Sequence, residues 1–221
     1  MKFNKYINEE LESLDSSSPE EISHLIKKKC SKYLKLIGNR KPLYRGMESQ
    51  YAQAGKYPNK VYIGKKAVRK NRTPKGTEQI TFKFVNDWLS NKGWPRRDSS
   101  MICTSNETWA NTFGNAFYVF PINSSYGYAW VDSHDFNTMS LKDMGEWNIG
   151  ELEDHAHNNP KEGIKMLEDH VRGNKKFNAA YNREYEIWID CKEYYFLGYD
   201  LMMMEEQKKF KKAFKKIGLT L

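Results

Sequence analysis

Beyond Gly38 the sequence changes texture, and that change constrains the fold more than any other feature. Apolar residues stop recurring at helical spacing and gather into short β-type segments separated by polar stretches. Pro42-Leu43-Tyr44-Arg45-Gly46-Met47 reads as a first strand and Val61-Tyr62-Ile63 as a very short second one. Further strands are expected at 100–104, 116–120, 126–131, 184–190 and 194–199. Helical patterns interrupt them. Ile80, Phe82, Phe84, Val85, Trp88 and Leu89 predict a helix stopped by Asn91-Lys92-Gly93-Trp94-Pro95, and Glu107 to Phe113 a short one turning at Gly114. The polar, acidic stretch 140–180 is expected to be partly helical from 161 to 171, and 48–60 to form a flexible loop. There is no internal repeat.

The two ends are helical in character. Residues 3–14 carry Phe3, Tyr6, Ile7 and Leu11 at roughly helical spacing. Ser18-Pro19-Glu20-Glu21 is a start signal: a capping hydroxyl, a proline at the first helical position, and carboxylates where the helix dipole favours anions. That helix is expected to run to Ile37, with Ile22, Leu25, Ile26, Tyr33, Leu34 and Ile37 forming its stripe, and to stop at Gly38. At the other end, 205–217 reads as a basic amphipathic helix with Phe210, Phe214 and Ile217 on one face. Such a helix either docks on the core with a solvated lysine face or lies on a membrane or a phosphate backbone.

Length suits one domain: 221 residues, with 6 Trp, 14 Tyr and 11 Phe supplying core volume despite a mean hydropathy of −0.83. Nothing approaches the roughly 18 apolar residues needed to span a bilayer, and Met1-Lys2-Phe3-Asn4-Lys5 leads into acidic sequence, so a cytoplasmic protein is expected. Cys30, Cys103 and Cys191 match neither a disulfide framework nor a metal-ligand spacing, and reduced thiols follow.

Charge is unevenly placed along the chain. Residues 1–40, 41–97, 98–206 and 207–221 carry net charges of +2, +11, −11 and +6. A basic block of that size either recruits nucleic acid, a phosphate-bearing ligand or an acidic surface, or simply keeps the chain soluble. Within 65–97, Arg69-Lys70-Asn71-Arg72 and Trp94-Pro95-Arg96-Arg97 are read as solvated loops that could also meet nucleic acid.

Three segments carry residue types suited to chemistry. Arg45 places a guanidinium in an apolar strand, followed by Gly46, which would let a ligand approach the backbone; a planar fork suits phosphate or carboxylate, a structural ion pair being the alternative. Cys103-Thr104-Ser105 ends a strand with hydroxyls that either orient a neighbouring group or cap the next helix. Glu184-Tyr185-Glu186 opens the apolar strand Ile187-Trp188-Ile189, so alternation would project two carboxylates from one face, unless that face is a solvated edge. His155 and His157 are read as solvated rather than metal-ligating, and no phosphate-loop glycine motif is present.

In this order the three segments resemble the mono-ADP-ribosyltransferases of the R-S-E class, which include arginine-modifying toxins and small phage-encoded enzymes. The matching stretches are Leu43-Tyr44-Arg45-Gly46, Ile102-Cys103-Thr104-Ser105 with Ala110 to Gly114, and Glu184-Tyr185-Glu186-Ile187-Trp188-Ile189, and the resemblance covers about 41–200. It implies an α+β fold with an ADP-ribosyltransferase-like split β-sheet core behind N-terminal helices. It also implies NAD as co-substrate, its diphosphate on Arg45 and Gly46 and its ribose site organised by Thr104 and Ser105. Glu186 would be the catalytic carboxylate and Glu184 the one that engages the acceptor. Phe113, Phe117 and Tyr118 are candidate rings for stacking nicotinamide, Phe113 foremost. One departure stands out: Cys103 occupies the position where the family usually has a serine that bonds the catalytic glutamate. Thr104 or Ser105 would have to replace that bond, or activity would be reduced.

The expected organisation is a helical segment at 1–40, the catalytic domain at 41–204 and the basic helix at 205–221. The expected activity is transfer of ADP-ribose to a macromolecule, a protein arginine first, with nucleic acid or a nucleic-acid-bound protein open through 65–97. The location is the cytoplasm, that of a host if the chain is phage-encoded. The rival is a non-catalytic protein on the same fold whose basic face binds nucleic acid or an acidic partner. No metal is expected.

Overall fold

A computed structural model describes residues 12–14, 16–47, 63–73, 76–122, 127–137, 148–198 and 202–221. The expected helix at 3–11 and the loop at 48–60 lie outside them. Glu12–Ser13 forms a short strand, β1, so the helix expected to reach residue 14 does not.

The start signal at Ser18 acts as read. Its hydroxyl accepts the Glu21 amide at 3.3 Å while the Glu21 carboxylate accepts the Ser18 amide at 2.8 Å, which holds that carboxyl below its usual range. Helix α1 runs Pro19–Lys29 and α2 runs Ser31–Ile37, where one continuous helix was expected. The break falls at Cys30, fully buried with φ −119°, whose thiol faces the Phe120 carbonyl at 3.5 Å; Gly38 ends α2 with φ 61°.

Among the described residues nine strands make two sheets in which every pairing is antiparallel. The first, in order β1-β3-β9-β5-β2, uses β2 (Leu43–Met47), β3 (Ile63–Ala67), β5 (Asn115–Pro121) and β9 (Glu193–Leu197) beside β1. The second, β4-β8-β6-β7, uses β4 (Met101–Cys103), β6 (Tyr128–Val131), β7 (Val171–Gly173) and β8 (Ile187–Ile189). This is an α+β architecture. Strand β3 begins where the second strand was expected to end, and β8 is shorter than the expected 184–190. From residue 148 on, the acidic stretch is more helical than the expected 161–171: α5 (Ile149–Asn158), α6 (Pro160–His170) and α7 (Phe177–Asn182) occupy it.

Alternation decides which side chains enter which core. Along β8, Ile187 and Ile189 enter the larger cluster with Met101, Cys103 and residues of the first sheet, while Trp188 faces the other way. There it meets α3 (Gln79–Asn91) and the helices α5 and α6 through Val85, Leu89, Leu152 and Leu167. Both faces of the second sheet are therefore dry. The terminal helices belong to the larger cluster: Ile22, Ile26 and Tyr33 from α1–α2 and Phe210 and Phe214 from α8 (Met204–Lys215) pack on the first sheet, with Tyr33 and Phe214 against Phe120 at ring distances of 6.3 and 5.8 Å.

Because Phe214 is fully buried, Phe214→Ala is expected to cost about 3–5 kcal/mol, against about 1 kcal/mol for Ser18→Ala at the exposed cap. Urea unfolding followed by circular dichroism measures both, and equal effects would mean that α8 is not part of the core.

Candidate active site

Among the described residues one backbone bridge joins the two sheets: Tyr44 of β2 and Thr104 beyond β4 exchange both backbone hydrogen bonds, at 2.7 and 2.9 Å. Arg45 follows Tyr44 and donates from its guanidinium to the Ile102 carbonyl at 2.8 Å. On the far side, the Thr104 hydroxyl donates to the Glu184 carbonyl at 3.0 Å and the Ser105 hydroxyl to the Tyr181 carbonyl. The segments around 45, 102–105 and 181–186 are thus tied together, chiefly through main-chain carbonyls.

Side chains within this junction separate. Glu184 is exposed, has a left-handed backbone (φ 61°) at the end of the turn that follows α7, and its carboxylate accepts from the Asn106 amide. Glu186 is 5 % exposed and faces the Trp188 side of the second sheet. The expectation that both carboxylates project from one face is not met, because the turn at Glu184 breaks the extended run on which alternation depends.

The Glu186 carboxylate is densely bonded. One oxygen accepts from Arg97 Nε at 3.1 Å, Arg97 Nη2 at 3.0 Å and the Trp188 indole, and the other from the Phe136 amide at 3.0 Å. Arg97 itself lies 4.2 Å from the Phe136 ring centre. Neither Thr104 nor Ser105 bonds Glu186: their hydroxyls are spent on the 181–184 turn, and Cys103 faces the Ile187 carbonyl with its thiol pushed far up by burial. Asp135, buried beside Glu186, is pushed up to about 6 by burial and then by that neighbouring carboxylate.

Cations gather at the other side of the junction. Arg72, unremarkable in a run of polar residues, bends in to donate to the Ser100 carbonyl, and its Nε has no hydrogen-bond partner among the described residues. Burial, and after it the field of Arg45, pushes it down to about 9; Lys66 falls to about 8 through burial and then Arg69 and Arg72. A concentration of positive charge with a buried, unanswered N–H is suited to an anion such as a diphosphate. An open groove of about 260 Å³ adjoins it, with Arg72, Lys83 and Arg96 among its walls beside Asp87 and Asp98, the latter bonded to Arg96.

Gly46 is explained by packing: a Cβ there would stand 2.1 Å from the Ala110 carbonyl and 2.8 Å from the Phe113 Cβ. Helix α4 (Glu107–Asn111) and the residues after it fill the space in which a ligand was expected. Of the candidate rings, Phe117 and Tyr118 are core residues at 1 % exposure, whereas Phe113 is 55 % exposed beside Gly46. His155 and His157 sit on α5 facing Glu151 and Glu78, at 3.7 and 2.6 Å, and no metal-holding group is found among the described residues. No described helix is long and apolar enough to cross a membrane.

Sequence reasoning missed Arg97, Asp135 and Arg72. Arg97 is read from sequence as part of a solvated loop, and nothing in Trp94-Pro95-Arg96-Arg97 separates the buried second arginine from the exposed first. Comparison with protein-family models, curated proteins and solved structures finds no match to this chain.

Removing one member of the buried pair leaves an uncompensated charge, so Arg97→Met is expected to destabilise by about 3–5 kcal/mol at neutral pH in chemical denaturation. Asp135 acts in the opposite sense. Its folded pKa lies above its unfolded value of 3.8, so the folded state holds the extra proton and the stability linked to it is lost as pH rises from about 4 through 6. Asp135→Asn should flatten stability over that window, and an unchanged profile would show that the carboxyl does not titrate there.

Proposed function

We propose that the chain transfers ADP-ribose from NAD to a macromolecular acceptor, a protein arginine, on a split-sheet core of the ADP-ribosyltransferase kind. The observation that carries this reading is the junction itself: Arg45, the 102–105 strand end and the 184–186 segment come from three distant parts of the chain and are bonded into one neighbourhood.

Each part has a physical role. Arg45 and Arg72 supply charge for the NAD diphosphate, and the unpartnered Arg72 Nε supports that fit. Phe113 offers an exposed ring on which the nicotinamide stacks. Cleavage of the nicotinamide–ribose bond moves positive charge from the nicotinamide ring onto the sugar, and a carboxylate held rigidly beside the sugar stabilises that transition state more than the ground state. Glu186, held by two N–H groups besides Arg97, is the rigid carboxylate. Glu184, exposed at the rim, meets the cationic acceptor and draws off its proton.

A second reading is favoured by one observation. The Arg97 fork neutralises Glu186 and leaves it 5 % exposed, as a structural ion pair would. On that reading the same neighbourhood binds an anion without catalysis. For transfer, Arg97 must yield part of the carboxylate to the sugar.

Incubating the protein with labelled NAD and a cell lysate is expected to label protein bands. Glu186→Gln should lower labelling by about 10²–10³-fold, with folding checked by circular dichroism. Glu184→Gln, at an exposed position, should suppress transfer while leaving NAD cleavage. A wild-type protein that neither labels nor cleaves NAD, yet binds ADP, would decide for the second reading.

A further inference from the structure

The fold assembles a cationic surface that neither the candidate site nor the block 65–97 includes. Five lysines lie between residues 27 and 35 and six between 208 and 216, more than 170 positions apart, and all eleven are exposed. Helices α1 and α8 bring them together. Lys216 Nζ stands 3.6 Å from Glu20, so the end of α8 lies against the start of α1, and the two helices share the larger core through Ile22, Ile26, Phe210 and Phe214. Within the two segments lysines outnumber acids. Segment 19–37 holds Glu20 and Glu21 against its five lysines, and 203–221 holds Glu205 and Glu206 against six. Lys216 pairs with Glu20 and Lys209 with Glu205 at 3.7 Å.

We propose that the paired outer faces of α1–α2 and α8 form a docking surface for the sugar–phosphate backbone of a duplex nucleic acid. The shape of the surface selects this partner. Two packed helices lie about 8–10 Å apart, so with side chains their joint face is broader than the roughly 12 Å major groove and rests across it on phosphates. Helix α8, 12 residues and so about 18 Å long, runs past about ten backbone charges at one per ~1.7 Å of duplex. The cations of this face are lysines, which act as point charges and recruit phosphate without the bidentate geometry that reads bases. A bilayer is the weaker fit, because the helices turn Phe210, Ala213, Phe214, Ile22 and Ile26 into the core; of the described residues of these helices and their caps, Met203 and Met204 are the exposed large apolar ones. The surface uses no residue of the candidate site and stands whether or not ADP-ribose transfer does.

Fluorescence anisotropy with a labelled duplex of about 20 base pairs tests it on the full chain. Micromolar binding is expected at about 50 mM salt; with about four lysines on phosphates, affinity should fall by roughly 100-fold at about 200 mM. Replacing Lys208, Lys211, Lys212 and Lys215 by Gln should weaken binding at least tenfold. A control that removes the same charge elsewhere, at the exposed Lys161, Lys165, Lys175 and Lys176, should change it less than threefold, with both variants checked for folding by circular dichroism. Equal losses in the two variants, or no binding by the wild type, would overturn the proposal. So would binding to phosphatidylserine-containing vesicles in preference to the duplex. Loss of NAD labelling in Glu186→Gln leaves it untouched.

Discussion

The pair of backbone hydrogen bonds between Tyr44 and Thr104 fixes the relation of the two sheets. Each sheet closes its own ladders, and the isolated bridge is where a strand of one touches the end of a strand of the other. The consequence is chemical as well as architectural. Residues beside a bridge are neighbours whatever their separation in sequence, so Arg45 reaches the Ile102 carbonyl and the Thr104 hydroxyl reaches the turn at Glu184. Gly46 is part of the same constraint, since only a residue without a Cβ lets α4 close over β2 next to the bridge.

Around that junction the protein holds charges in places where charge is costly. Glu186 and Arg97 are both almost fully enclosed and pair with nearly ideal distances, supported by an indole and a main-chain N–H. Such a pair offers little net stability, because each ion has lost its water, but it makes the position of the carboxylate rigid. Arg72 has no comparable carboxylate among its hydrogen-bond partners: it donates to a carbonyl, and Arg45 and Arg97 both disfavour its charge. The fold therefore holds a neutralised ion pair at one side of the junction and an excess of positive charge at the other.

Legibility from sequence followed the range of the forces involved. The cap at Ser18, the stop at Gly38, the helix at 79–91 and most strands rest on local chemistry and were readable to within a few residues. The three segments of the site were readable as residue types. What alternation suggested about Glu184 and Glu186 failed because one left-handed residue, Glu184, ends the extended run, and nothing in the letters of that segment announces a turn. Arg97 was misread for a related reason. A Trp-Pro-Arg-Arg run has the composition of a loop, and whether its second arginine is solvated depends on a glutamate 89 positions away. Helix α5 was missed because amphipathic patterning is faint when the apolar stripe is little more than Ile149 and Leu152.

Charge separation shows the same principle on the scale of the molecule. Along the chain, the lysine-rich start of the sequence and the lysine-rich end look like two unrelated solubilising runs. Burial of Ile22 and Ile26 on one helix and of Phe210 and Phe214 on the other is an apolar event, yet it dictates where the lysines go. The same apolar logic packs α5 and α6 on the second sheet, so their acids stand on the helical layer over that sheet while the lysines stand on the layer over the first. Like charges are thereby gathered by forces indifferent to charge, and their mutual repulsion costs stability that hydrophobic burial offsets. A surface assembled at such a cost retains its field at a distance of about a Debye length, and that field orients the molecule towards any polyanion before contact is made.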